Sequence, residues 1–493
     1  MRRIRIKEAL QRLRAWWGER WHTRRFFTSL TYGIVIGIVL EMPFVQRNPW
    51  IENARNSLIT WQMKLFYGSD SGDNIAWIDI DENAYRAWHG TSNMTPRDKL
   101  LALIKYAVAG KPRVIVVDIA LPNDGTGDRK QNDALASYLG TYGKTCVRPC
   151  PKIVLVRTLS PSPSGANVED PSFVDSALGT AADAPWQTPP QAEPWRKTPP
   201  EPWDKADPVL WGTAQFDLEP DLSVRRWRLW EVTCAANGRA VLTPSAVFEA
   251  VSLEDGLAPS GIDDEMQRSV EPGACGATSG SQTQHAGSGG FGSDLPRVEA
   301  LTEDKLLRRI VYRIPYRDPS IADAGEPNQH TLAQLVTAGG IPGSNLTPGN
   351  VLSGEIVVIG ATFAEGGDAE HPTPVGTIMP GSFILINEMN SLLNDDYLKE
   401  TPPPLALVVE FVLIVAISAL SAAGAEFLGA AVVVLAAATA GLFAFRTGFW
   451  FDSVVPLIAV LIHEFYERYE HRVKEAFSSL RKAVKSLFPK TRS

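Results

Sequence analysis

Asp79, Asp81, Asp118 and Asp368 are the side chains of this sequence whose type and placement could do chemistry together. Asp79 and Asp81 close an apolar run at 75–81, Asp118 lies late in a second run at 114–121, and Asp368 and Thr373 follow a third at 355–362 that contains Gly360. In an open parallel sheet, ligands bind beyond the carboxyl ends of the strands. Residues two apart on a strand share a face, so Asp79 and Asp81 should point the same way. Carboxylates that converge repel one another unless a cation or an arginine intervenes. Arg97, at the start of the intervening helix, is the available counter-charge. The set Asp79, Asp81, Arg97, Asp118, Asp368 and Thr373 is therefore the candidate ligand site. Each of these residues has a structural alternative, capping a helix or pairing with Arg97, because structural ion pairs produce such clusters too.

Other patterns carry no chemistry. Gly287, Gly289 and Gly292 match the dinucleotide fingerprint in letters but lie in a Gly/Ser-rich stretch with no strand before them. Gly143-Lys144-Thr145 resembles the end of a phosphate-binding loop, yet Tyr138 replaces the required first glycine and a helix precedes it. No nucleophile elbow, zinc-protease helix or calcium loop occurs. No cofactor, metal or catalytic residue is expected.

The elements that must position these residues alternate. Strands are expected at 75–81, 114–121, 152–159, 225–233, 308–314 and 355–362, and helices at 96–110, 129–142, 244–253, 331–339 and 380–393. Parallel neighbours need crossover connections, so the alternation predicts an α/β fold with a mostly parallel sheet covered by helices. The intervals 160–208 and 256–296, rich in Pro, Ser, Gly and acids, read as flexible insertions.

Four stretches, 26–45, 405–423, 427–445 and 449–465, are apolar for about the length a bilayer requires. They predict four transmembrane helices, the first an uncleaved signal anchor and the last three a bundle. Residues 1–25 hold nine Lys or Arg against two Glu, and 466–493 hold eight against three, whereas 46–404 carries 30 basic and 45 acidic residues. The positive-inside rule then puts both termini in the cytoplasm and the domain 46–404 outside, in a multi-pass protein of a cytoplasmic (inner) membrane with the lipid bilayer as partner. A net charge of −7 argues against nucleic-acid binding. The four cysteines, Cys146, Cys150, Cys234 and Cys275, all fall in the exported region, where two disulfides can form. Three connectivities are open; Cys146 with Cys150 closes a short loop and leaves Cys234 with Cys275.

The segments Ile75-Ala-Trp-Ile-Asp-Ile-Asp-Glu82, Thr95-Pro-Arg-Asp98, Val114-Ile-Val-Val-Asp-Ile-Ala-Leu121, Asp133-Ala-Leu-Ala136, Glu355-Ile-Val-Val-Ile-Gly-Ala-Thr362, Pro372-Thr-Pro374 and Met379-Pro-Gly381 resemble the second type of CHASE domain. Asp217 to Arg226 resembles that family's aspartate-then-basic turn, with Leu222-Ser223 where a glycine is usual. The resemblance covers about 50–395 and implies an extracytoplasmic sensor of the kind associated with cyclases, histidine kinases and Ser/Thr kinases. Family members commonly continue into a catalytic output domain; here 466–493 follows the last apolar stretch, with Tyr466, Tyr469, Val473, Phe477, Leu480, Val484 and Leu487 at helical spacing. The expectation is a non-enzymatic sensor that receives an external ligand or protein and relays to a separate cytoplasmic effector through an amphipathic tail, with homodimerisation open. An envelope scaffold or assembly protein is the alternative. A metal-dependent extracytoplasmic hydrolase built on Asp79, Asp81, Asp118 and Asp368 is a third.

Overall fold

The computed structural model describes residues 24–40, 48–69, 74–88, 94–123, 128–146, 149–161, 167–179, 207–219, 221–234, 240–254, 307–316, 352–363, 370–394, 399–400, 403–422, 426–446 and 449–450, with single residues at 42, 45, 454, 458 and 462. In chain order these form α1 (Arg24–Leu40), α2 (Pro49–Phe66), β1 (Ile75–Ile80), α3 (Glu82–Ala87), α4 (Arg97–Ala109), β2 (Val114–Val117), α5 (Arg129–Thr145), β3 (Lys152–Arg157), β4 (Leu159–Pro161), β5 (Asn167–Glu169), α6 (Asp175–Leu178) and β6 (Val209–Thr213). There follow β7 (Phe216–Leu218), β8 (Val224–Arg228), β9 (Trp230–Cys234), β10 (Ala240–Pro244), α7 (Ala246–Glu254), β11 (Leu307–Arg309), β12 (Ile356–Ala361), β13 (Glu370–Pro372), β14 (Ile378–Pro380), α8 (Gly381–Leu393), β15 (Lys399–Glu400), α9 (Pro403–Ala422), α10 (Glu426–Arg446) and β16 (Phe449–Trp450). They fall into two compact units, one within Met1–Gln62 and Leu398–Ser493, the other within Met63–Tyr397.

The second unit is built on a five-stranded parallel sheet in the order β1-β12-β2-β3-β6. The strands Ile75–Ile80, Val114–Val117, Lys152–Arg157 and Ile356–Ala361 are buried along their whole length, as near-continuous β-branched runs must be when helices cover both faces. On one face Ile78, Ile80, Ile115, Val117, Val357 and Ile359 pack with Leu100, Leu103, Ile104 and Ala107 of α4 and Leu135 and Leu139 of α5. The alternate residues face α7 and α8. Helix starts follow the local chemistry: Asp128 caps α5 by accepting from Lys130 N at 2.8 Å, and Pro96 precedes α4. The expected strand at 225–233 is two, β8 and β9, which join different sheets, the antiparallel β11-β8-β7 and the mixed β10-β9-β5-β4, in which β5 runs parallel to β9. The expected helix at 331–339 lies outside the described residues.

The stretch 167–179, inside the first expected insertion, holds β5 and α6 and is tied to the sheet by charge. Arg157 at the end of β3 makes a bidentate pair with Asp175, both contacts 2.8 Å, and its guanidinium lies 3.8 Å from the centre of the Trp211 ring. Asp175 also accepts from Ser172 N at 2.7 Å. A composition rich in Pro and Ser does not reveal this anchor, because one buried pair outweighs many polar neighbours.

The four expected transmembrane helices are not found: among the described residues no helix is long and apolar enough to cross a membrane. The stretch at 26–45 gives a helix of 17 residues, about 26 Å at 1.5 Å per residue, against a hydrocarbon core of about 30 Å. The stretch at 449–465 opens with the strand β16, which pairs with β15. α9 opens on Pro403 and Pro404 and carries Glu410 within its apolar run, and α10 has a charge at each end, Glu426 and Arg446. Apolar letters in a row also serve packing: α1 lies against α9, with Ile414 filling the space beside Gly33, and Ile51 packs with Ile36, Val45 and Ile458.

Two outcomes follow for the second unit. Asp175→Ala should leave Arg157 buried without its bidentate partner and lower the unfolding free energy by about 3–5 kcal/mol in urea titrations; a change within experimental error would mean that the pair does not hold 167–179. Asp221, bridged to Arg225 at 2.7 Å, has its carboxyl drawn down to about 2, chiefly by the hydrogen bond from that guanidinium. A depressed carboxyl stabilises above its ordinary value near 3.8 and loses that contribution as pH falls through its folded value. The stability gap between the native chain and Asp221→Asn should accordingly be constant near neutrality and close between pH 4 and about 2, which acid titration of the two proteins would show.

Candidate functional site

Register places the acids at the strand ends. Asp79 on β1 stands opposite Gly360 on β12, and Ile359 stands opposite Val117 on β2. Asp118 continues β2 alongside β12, its N–H donating to Ile359 O at 2.8 Å. Asp79, Gly360 and Asp118 thus form a row across three neighbouring strands, with the two aspartates two strand spacings apart, about 9–10 Å. In-register neighbours share a face, and this row faces α8.

Gly360 is what lets α8 approach. A methyl group there would run into the Ser382 side chain and lie 3.2 Å from Trp77 Nε1. Asp79 is fully buried, and both its oxygens lie 2.9 Å from Thr362 Oγ1, the hydroxyl two residues beyond Gly360 on the same face. Asp118 is half-buried. Its charge reaches Glu388 on α8, whose carboxyl is held well above its usual value by burial first and by Asp118 second.

The other expected residues do different work. Asp81 lies just past β1 and caps α3, accepting from Ala84 N at 2.7 Å, so it does not share the row with Asp79. Arg97 is buried, donates from Nη2 to Ala120 O at 2.9 Å and lies over the Phe173 ring, fastening the chain that leaves β2. Thr373 closes the β13–β14 hairpin, its hydroxyl donating to Thr377 O at 2.7 Å. Asp368 lies outside the described residues, among which no group of three or more His, Cys, Asp or Glu is placed to hold a metal ion. Cys146 and Cys150 form a disulfide that closes the turn between α5 and β3, with Cα atoms 5.8 Å apart. Cys234 ends β9, and Cys275 lies outside the described residues.

Sequence reasoning missed Trp77, Thr362, Ser382 and Glu388. A signal for the last existed: Asn387, Glu388, Asn390 and Ser391 interrupt an otherwise apolar helix. Polar residues three and four apart in a helix buried all round must find partners or keep their protons.

The connections complete the geometry. The chain leaves β1 and β2 toward α4 and α5 on one face, whereas from β12 it runs on to α8 on the other. Adjacent parallel strands whose connections part in this way leave a crevice beyond their carboxyl ends, the usual seat of a ligand in a doubly covered α/β sheet. That architecture is an α/β domain with its sheet covered on both faces. The CHASE2 domain model matches residues 33–424, more than three quarters of the sequence, and the chain belongs to the CHASE2 family, a family of sensory domains. No curated protein and no solved structure matches the chain.

Gly360→Ala should lower stability by about 1–3 kcal/mol by pushing α8 off β12. Thr362→Val, which removes one donor from a buried carboxylate, should do so by a similar amount. Chemical denaturation measures both, and a neutral Thr362→Val would show that the hydroxyl does not hold Asp79.

Proposed function

We propose that the chain is an extracytoplasmic sensor whose ligand binds at the strand-end edge beside Asp118, and whose ligand-dependent state is read by a separate effector. The observation that carries the reading is the half-buried Asp118 at the open end of β2, in line with Asp79 and Gly360 where the connections part. A ligand that offers hydrogen-bond donors or positive charge to this edge shifts the balance between two arrangements of α8 only by its different affinity for them, so both must exist without it. Placement outside the cytoplasm is supported by the Cys146–Cys150 disulfide, which persists in an oxidising compartment. Attachment to a membrane is supported by the exposed apolar side chains Phe27, Ile38, Phe411, Val412, Leu435 and Phe443.

Two measurements test this. A thermal-shift screen of small polar and cationic compounds should find one that stabilises the native chain and not Asp118→Asn; stabilisation that survives the substitution would move the site elsewhere. Affinity capture of the intact protein from its native envelope should retain a kinase, cyclase or response regulator, and retention of envelope assembly proteins alone would replace relay with scaffolding.

A further inference from the structure

Glu388 is a carboxyl group in an apolar medium. It is 1% exposed, and its Oε1 has no hydrogen-bond partner among the described residues. It is also the only titratable side chain of α8. The elements around α8 do little to neutralise a charge there. β12 and β14 bring no ionisable group. α7 brings Glu249, itself buried, and Glu254, which is bound to Arg113 at 2.9 Å. Asp118 adds a further negative charge from the strand ends. The extended segment 310–316 brings Tyr312 and Arg313; Arg225, which acts on Tyr312, is bonded to Asp221 and Glu219.

The same helix holds that segment by side chains. Asn387 Oδ1 accepts from Arg313 N at 3.2 Å and Ile314 N at 3.1 Å, and Ser391 Oγ meets both Val311 N and Val311 O at 3.1 Å. The segment in turn holds the turn after α2: Gly68 N donates to Arg313 O at 2.8 Å, and Tyr316 N donates to Tyr67 Oη at 2.8 Å. Tyr316 also packs 5.0 Å from Phe383 in the first turn of α8.

We propose that Glu388 is a proton-operated latch: α8 keeps its grip on residues 311–316 only while this carboxyl carries its proton, and losing the proton frees the segment and the turn that follows α2. Asn387 and Ser391 lie one residue before Glu388 and three after it, so a shift of α8 that lets water or a counter-charge reach Glu388 pulls at both. Burial and Asp118 hold the carboxyl well above its usual 4.5. A raised carboxyl favours the folded state fully below its unfolded value, and that stability is lost as pH climbs toward the folded value. The latch therefore opens on the alkaline side. It needs no ligand and is independent of the reading of the strand-end site.

Hydrogen exchange on the intact chain, corrected for the intrinsic pH dependence of exchange, tests it. Between pH 6 and 9 the protection of 311–316 should fall by about tenfold or more in the native chain and stay within about twofold in Glu388→Gln and Glu388→Met. Amides of β12 should be unchanged in all three. Asp118→Asn, which removes a repelling charge, lets Glu388 give up its proton more readily and should move the loss of protection to lower pH. A flat native profile, or an equal loss in the native chain and either substituted chain, would overturn the latch.

Discussion

The arrangement at the strand ends depends on a side chain that is not there. Gly360 sits between Asp79 and Asp118 in the row, and the space a methyl group would take is filled by Ser382. With α8 lowered onto β12, the upper face of the sheet is sealed, Asp79 is cut off from water, and Glu388 is carried into the interior with Asp118 in electrostatic reach. A larger residue at this one position would meet Ser382 and push the helix off β12, loosening the cover over Asp79 and Glu388. The close approach thus sets the electrostatics, and the electrostatics set what the domain can respond to.

Much of this was legible in the sequence. Residues 75–80, 114–117, 152–157 and 356–361 are buried strands because runs of Ile and Val with no polar alternation have no other stable use in an α/β chain. Asp79 and Asp118 could be placed at strand ends by the same reasoning. Asp81 could not be separated from Asp79, because whether the strand ends at 80 or 81 decides whether that carboxylate faces the row or turns back to cap Ala84. The membrane spans failed for a related reason. Apolar length is shared by a helix that meets lipid and a helix that meets another helix, and only the packing of Ile51 with Ile36, Val45 and Ile458, or of Gly33 on Ile414, shows the second use.

Charges buried in the second unit divide into two kinds. Arg157 with Asp175 and Arg225 with Asp221 are bidentate pairs of matching geometry; in the first both groups are buried, and in the second the buried Arg225 meets a carboxylate that stays in contact with water. They lock short irregular segments, 167–179 and the turn at Leu222, whose positive φ is otherwise unfavourable for a branched side chain. Glu388 is the other kind: it is tolerated as a neutral acid instead of being satisfied as an anion. Paired charges resist change over most of the pH scale, whereas a neutral acid in an apolar setting is stable only while its proton remains.

That contrast bears on how a sensory α/β domain can be both rigid and responsive. The sheet, with helices on both faces and its strands buried, has no low-energy way to deform, so a response must come from an element attached to it by few and separable contacts. α8 is such an element on one side only. Toward β12 it is fixed by close packing at Gly360, while toward 311–316 it is held by two polar side chains, Asn387 and Ser391, that supply hydrogen bonds a neighbouring strand would otherwise make. Side-chain hydrogen bonds of this sort are each worth about 0.5–1.5 kcal/mol, enough to order the segment and small enough for one change of charge in the same helix to undo.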